Sequence, residues 1–241
     1  MELQTFSQQI TVASYDVEPG EGMRLSNILR YQQEIGEQHL IANRWGWHEL
    51  FDAGAAFVIT RLRLQIDRLP QLEETVTLTT WHRERRGARF LRCYEWRDAA
   101  GALLMSGVTE FVLVSAREHK MLWAIPPAVK ELPSCPERGV CPDPGRVALK
   151  NACPVGEHTV RRSDLDCNRH MNNARYIDVA LDWLPEFPIR EIELQYVKEM
   201  VPGETASIRT EQTQDGYLVE MLSGENYIFR ARILAQENDG V

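Results

Sequence analysis

The stretch Asp166-Cys167-Asn168-Arg169-His170 sets a carboxylate, an amide and an imidazole at alternate positions, just ahead of the pair Asn172-Asn173 and a short apolar-periodic segment. In an extended chain side chains alternate sides, so Asp166, Asn168 and His170 are expected to project together. Two of these groups can move a proton and the third can donate a hydrogen bond, which suits hydrolysis. A helix amino terminus beside them offers free N–H groups and a positive dipole end to a developing oxyanion. The same residues also have a bland reading. Asp166 and Asn168 then make local turn bonds, Asn172 or Asn173 caps the helix, and His170 is a satisfied polar side chain.

Two further residues bear on the choice. Glu199 lies 130 residues beyond Leu69 in a register that superposes two halves of the chain, so an apolar position of the first half is a carboxylate in the second. Its side is left open, since strand parity sets it opposite Leu194 and Tyr196 unless a bulge intervenes near Pro202. Cys167 stands three residues before His170 and invites a Cys-His-Asn reading, but alternation aims it away from the imidazole.

The elements that must position these groups are legible from periodicity. Arg24 to Asn43 reads as a helix, with Leu25, Ile28, Leu29 and Ile35 on one face and Gly46 beyond its end. Strands follow around Leu62-Leu64-Ile66, Thr75 to Trp81, Arg89 to Trp96 and Leu103 to Ser115. Seven of the 12 prolines, Pro126, Pro127, Pro133, Pro136, Pro142, Pro144 and Pro154, then mark a linker. Beyond it Ile177, Ala180, Leu181 and Leu184 form a helical stripe that Pro185 stops. Strands return at Ile192-Leu194-Tyr196, Thr205 to Glu211, Tyr217 to Leu222 and Asn226 to Gln236, with an Asp215-Gly216 turn. Glu74-Thr75 and Glu204-Thr205 are 130 residues apart, as are Leu64-Gln65 and Leu194-Gln195, so the chain holds two copies of one helix-and-sheet unit. The first copy has Asp16 to Gly20 where the second has its polar motif, and no His there, so the fold alone does not demand His170.

Composition narrows the partners. With 241 residues, 44% hydrophobic, 26% charged and a net charge of −8, the chain is globular and repels polyanions, so nucleic acid is not expected. No apolar run reaches the ~20 residues of a membrane span, and Met1 to Gln8 lacks a signal-peptide pattern, so a cytoplasmic protein without membrane association is expected. Five cysteines without CxxC spacing suggest reduced thiols, and no metal or cofactor is assigned. Arg83, Arg85, Arg86 and Arg89 are the densest basic run, with Arg161-Arg162 a smaller one.

The chain resembles the acyl-ACP thioesterases, a double-hotdog family of plant plastids and bacteria. The likeness runs from Ala56-Phe57-Val58-Ile59-Thr60-Arg61, Thr79-Thr80-Trp81, Arg89-Phe90-Leu91-Arg92 and Phe111-Val112-Leu113-Val114 to the signature Asp164 to Asn173 followed by Tyr176. The resemblance implies an α+β tandem (double) hotdog, each unit a long helix packed on an antiparallel β-sheet. Its division is 1–125 as an N-terminal hotdog shaping the acyl pocket, 126–154 as the Pro-rich linker and 155–241 as a C-terminal catalytic hotdog. It implies Asp166, Asn168, His170 and Glu199 as the catalytic set. Plant members often carry Cys after that Glu, and Met200 stands here instead, which removes a thiol from that position. The implied partner is acyl carrier protein (ACP) bearing a fatty acyl thioester, docked on a basic patch. The absence of a transit peptide fits a bacterial cytosolic member, monomeric or homodimeric.

On this reading the chain cleaves fatty acyl-ACP, releasing free fatty acid and ending chain elongation in fatty acid biosynthesis. Glu199 with Asp166 would activate water while His170 and Asn168 position the thioester and helix amides hold the oxyanion. His170 as the base, or a covalent acyl-Glu199, are the open alternatives. Competing functions are a non-catalytic acyl-thioester sensor, a hotdog 3-hydroxyacyl dehydratase and an acyl-CoA thioesterase.

Overall fold

The computed structural model describes residues 3–236 except 21, 119, 127–128, 130–131 and 140. The first unit is built from β1 (Thr5–Thr11), α1 (Leu25–Ala42), α2 (Trp47–Asp52), β2 (Ala55–Ile66), β3 (Thr75–Arg86), β4 (Arg89–Arg97) and β5 (Leu103–Ser115). The second has β6 (Cys153–Thr159), a single turn of 3-10 helix at Arg162–Asp164, α3 (Arg175–Leu181), β7 (Ile189–Tyr196), β8 (Thr205–Thr213), β9 (Gly216–Ser223) and β10 (Asn226–Ala235).

The ten strands form one antiparallel sheet in the order β1-β3-β4-β5-β2-β7-β10-β9-β8-β6, so each unit contributes five strands in the same internal order. The units meet where β2 pairs with β7, from Arg61 opposite Gln195 to Gln65 opposite Glu191, with Arg63 opposite Glu193 at the centre. Arg63 reaches Glu191 at 2.8 Å and Glu193 at 3.6 Å across this seam. The 130-residue register is visible in detail. Arg68 pairs with Glu74, and Lys198 with Glu204, beside the first residues of β3 and β8.

The sheet wraps around α1, whose buried face of Leu25, Ile28, Leu29, Gln32, Ile35, Gly36 and His39 has helical spacing. The helix runs between the caps Arg24 and Asn43, the bounds expected from sequence. Arg44, at φ 64°, occupies the left-handed position, with Trp45 N–H bonded to Leu40 O and Arg44 N–H to Ile41 O, a Schellman stop. Gly46 is needed for another reason: a Cβ there would lie 2.7 Å from Ile41. The second unit departs from the expected long helix, because α3 has seven residues and the chain turns before Pro185. α3 packs against α1, and their apolar faces join one core with Tyr94, Trp96, Ile192, Phe229 and Ile233. The tandem hotdog expected from the resemblance is thus the architecture, with the second helix reduced.

The proline-rich segment lies on the outer face of the sheet. Its Cys135 and Cys141 pack on Trp81, Leu91, Cys93 and Val108, while Arg138 stacks over Trp81 at 4.4 Å. Its amides at Gly145, Val147, Lys150 and Asn151 donate to side chains of Glu193, Gln195 and Glu211. β4 and β5 are therefore covered on both faces and show continuous burial rather than alternation. β6 takes in Cys153 and Pro154, the last two residues expected of the linker.

Candidate active site

The motif that precedes α3 is a tight loop and not an extended strand. Leu165 bridges Met171, Asp166 N–H bonds His170 O at 2.9 Å, and Arg169 sits at φ 65°. Alternation therefore does not govern its side chains. Asp166 Oδ1 accepts the Asn168 and His170 amides at 2.8 and 3.2 Å, the turn role that the bland reading gave it. Asn172 Oδ1 accepts the Ala174 amide at 2.9 Å in a second local turn, but the helix cap expected of Asn172 or Asn173 falls to Ala174, which makes no side-chain cap bond.

Asp164 anchors the loop from beneath. It is 2% exposed, and its carboxylate accepts Arg161 N–H at 2.9 Å, His158 Nε2 at 3.1 Å and Arg175 at 3.3 Å. Burial pushes this carboxyl up, and the Arg161 amide, His158 and Arg175 more than offset it, holding the pKa below the usual carboxylate value. Asp16 occupies the same place in the first unit, buried, with its carboxylate accepting Ala13 N–H at 3.0 Å.

Glu199 follows β7 beyond an irregularity of the kind the sequence left open. The Val197 and Lys198 amides both donate to Ile228 O, which breaks the alternation. Tyr176 OH then accepts Met200 N–H at 3.0 Å and Met171 N–H donates to Met200 O at 2.9 Å, tying this segment to the loop. Met200 itself is wholly buried. The result sets His170 Nδ1 at 3.1 Å from Glu199 Oε2. His170 and Glu199 are partly open to solvent, and the Asn168 side-chain amide makes no hydrogen bond among the described residues.

These three side chains lie where two hollows meet. One, of about 410 Å³, runs into the first unit between α1, α2 and strands β2 to β5, walled by Leu40, Leu50, Phe57, Phe90 and Phe111. Phe57 stands edge-on to Phe90 at 5.0 Å and to Phe111 at 6.2 Å. The other, a more open cleft of about 860 Å³, includes Tyr15, Arg30, Asp166 and Cys167 with the same Asn168, His170 and Glu199. His170, Asn168 and Glu199 are thus brought together, and Asp166 lines the open cleft with them while its Oδ1 shapes the loop. Cys167 is exposed on the cleft side. The expected helix amides do not line the apolar cavity. α3 is too short for a strong dipole, and Asn172 already accepts the Ala174 amide.

The Arg83–Arg89 run is largely neutralised, and of its four arginines Arg85 alone stays exposed without a carboxylate partner among the described residues. Asp143 of the linker folds over Arg83 and Arg86, Glu84 also pairs Arg86, and Glu110 pairs Arg89. Exposed arginines without a carboxylate partner near the site, among the described residues, include Arg30 on the cleft and Arg161, Arg162 and Arg169 around the loop. Sequence reading also missed His82 and Arg92, two buried polar residues whose α1-facing sides line the cavity. Residue type alone did not mark them, because β3 and β4 carry other charged residues such as Glu84, Arg89 and Glu95.

Comparison with known proteins gives a consistent result. The acyl-ACP thioesterase N-terminal domain matches residues 3–132 and the acyl-ACP thioesterase C-terminal domain residues 149–239. A palmitoyl-acyl carrier protein thioesterase, chloroplastic, of Arabidopsis thaliana is 24% identical over 88% of this chain and 53% of its own length. The chain spans about half the length of that relative and of its Gossypium hirsutum counterpart, of which it covers 52%. Among solved structures, an acyl-ACP thioesterase from Bacteroides thetaiotaomicron superposes with a TM-score of 0.89 at 20% identity, over 97% of this chain and 98% of that one. The 12:0-ACP thioesterase from Umbellularia californica gives 0.80 at 18% identity over 98% of both.

Proposed function

The chain belongs to the acyl-ACP thioesterase family, and from that premise we propose that it hydrolyses the thioester of fatty acyl-ACP to free fatty acid and carrier thiol. The observation that carries this reading is the 3.1 Å contact of His170 Nδ1 with Glu199 Oε2 where an apolar, aromatic-walled cavity meets the open cleft. A neutral His170 that donates its Nδ1–H to Glu199 leaves the lone pair on Nε2, free to take a proton from water. Glu199 orients the ring and stabilises the imidazolium. Asn168 donates its unpartnered amide to the thioester carbonyl as charge develops there. Water adds to the carbonyl carbon, the C–S bond breaks, and the departing thiolate recovers the proton from His170. Asp166 acts through the loop, holding the Asn168 and His170 backbone. The first unit holds the acyl chain and the second supplies the chemistry, while the open cleft admits the thioester-bearing arm of the carrier.

This places the protein at the end of chain elongation in fatty acid biosynthesis, in the cytoplasm, as a monomer or homodimer with no cofactor. Purified chain incubated with octanoyl- to stearoyl-ACP releases free thiol in a chain-length-dependent way. Saturable acyl binding without thiol release would replace the enzyme by a sensor.

The acidic carrier docks on Arg161, Arg162 and Arg169, which flank the loop. Reversing Arg161 and Arg162 to Glu raises KM for acyl-ACP by about tenfold at low salt, an effect that shrinks as salt screens it. An unchanged KM at low salt removes this patch as the dock.

A further inference from the structure

Resting on the thioesterase reading, we infer that the cavity accepts acyl chains bearing an oxygen, hydroxyl or carboxylate, remote from the thioester, held by Arg92. Both residues lie on the α1-facing side of the sheet and line the cavity that the phenylalanines otherwise make apolar. Arg92 is 6% exposed and His82 7% exposed. A buried guanidinium is costly unless paired. Yet the hydrogen bonds of Arg92 among the described residues all run from Nη1, to His39 Nδ1 at 2.9 Å and Thr80 Oγ1 at 3.3 Å. His39 is a neutral acceptor in that contact, because its other nitrogen bonds Leu3 O at 2.7 Å. Glu37, the carboxylate that acts on Arg92 through space, already receives the Trp47 amide at 2.8 Å. The Nε and Nη2 donors of Arg92 are left without a partner among the described residues.

His82 differs, since both its ring nitrogens are shut away from solvent and the Glu84 backbone lies against the ring. Neither ring nitrogen has a hydrogen bond of normal geometry among the described residues. Burial, with Arg92 nearby, lowers its pKa to about 4, so at neutral pH it is an uncharged imidazole with one donor and one acceptor. An apolar chain tip would leave the free Arg92 donors unsatisfied, whereas a hydroxyl or a carboxylate can accept from them, with the uncharged His82 ring as the wall beside it. The position along the chain follows from topology. β7, which leads to Glu199, and β4, which carries Arg92, are three strands apart, or ~14 Å across the sheet. The oxygen belongs toward the far end of the acyl group.

The test compares kcat/KM for octanoyl-, decanoyl- and dodecanoyl-ACP with their ω-hydroxy and ω-carboxy counterparts, the three lengths moving the oxygen along the cavity. At one length an oxygenated chain should exceed its parent by about tenfold or more, the two head groups separating hydroxyl from carboxylate recognition. That ratio should fall toward unity in Arg92→Met and be better kept in Arg92→Lys, which retains a charged donor, with folding checked by thermal melting. Because the readout is a ratio within one protein, general damage cancels. Equal or poorer handling of oxygenated chains at every length overturns the inference. If no thioester is cleaved, the thioesterase reading fails by itself. Calorimetric binding of decanoic and ω-hydroxydecanoic acids then decides, tighter hydroxy-acid binding supporting the oxygen site and equal or weaker binding overturning it.

Discussion

Glu199→Gln and His170→Ala each lower single-turnover thiol release from acyl-ACP by roughly a hundred- to ten-thousandfold, the range that a positioned general base contributes. The glutamine is nearly isosteric, so it keeps the shape of the site while removing the charge that faces His170 Nδ1 at 3.1 Å. Without that charge the imidazolium formed on proton abstraction is unsupported, and the amide can also hold the ring in the wrong tautomer. His170→Ala removes the proton acceptor itself. Because the two side chains act as a unit, the double variant should be scarcely slower than the worse single one, a non-additivity expected of one catalytic device and not of two independent supports. Both positions are partly exposed, so the variants should melt within a few degrees of the parent. Retention of near-parental release in either variant would remove the pair from the chemistry.

Asp164→Ala destabilises the fold by about 3 kcal/mol, because it leaves Arg175, the Arg161 amide and the His158 ring facing a vacated, buried site. Urea denaturation gives this difference directly. Its pH dependence has a definite sign. The folded-state pKa of Asp164 lies below its ordinary value of 3.8, so the unfolded chain binds the proton more tightly. The stabilisation is complete above that value and is lost as pH falls through the lower, folded-state pKa. The gap between parent and Asp164→Ala should therefore be constant near neutrality and narrow in acid. A gap that stayed level down to strongly acidic pH would mean that the ionised carboxylate contributes nothing to the network.

The periodic elements were open to reading because their apolar residues recur at distances set by backbone geometry. Leu25, Ile28, Leu29 and Ile35 are all buried on α1, and Leu62, Leu64 and Ile66 on β2. The repeat was legible because the strands of both units keep one register, visible in the matched Arg68–Glu74 and Lys198–Glu204 pairs. Side-chain direction in the loop was not, because Asp166 makes its turn by binding backbone amides two and four residues ahead, and that choice leaves no periodic trace. Glu199 could be named as the odd residue of its copy, but its direction depends on two amides sharing one carbonyl. The arginine run reads as more basic than it is because Asp143, which pairs Arg83 and Arg86, lies far along the chain in a segment that reads as linker. His82 and Arg92 escaped notice because their meaning depends on which neighbours fail to meet them.

The seam between the units carries a last consequence. Arg63 and Glu193 occupy the same position of the two copies and face each other at its centre. A two-fold axis relating two identical units would pass through that point and set one residue against itself, arginine on arginine or glutamate on glutamate. Like charges directly opposite in a sheet repel. Either unit is thus a poor mate for another of its own kind and a good one for its sister. The covalent chain behaves at this edge as a heterodimer, with a charge code that keeps central strands of different molecules from exchanging partners.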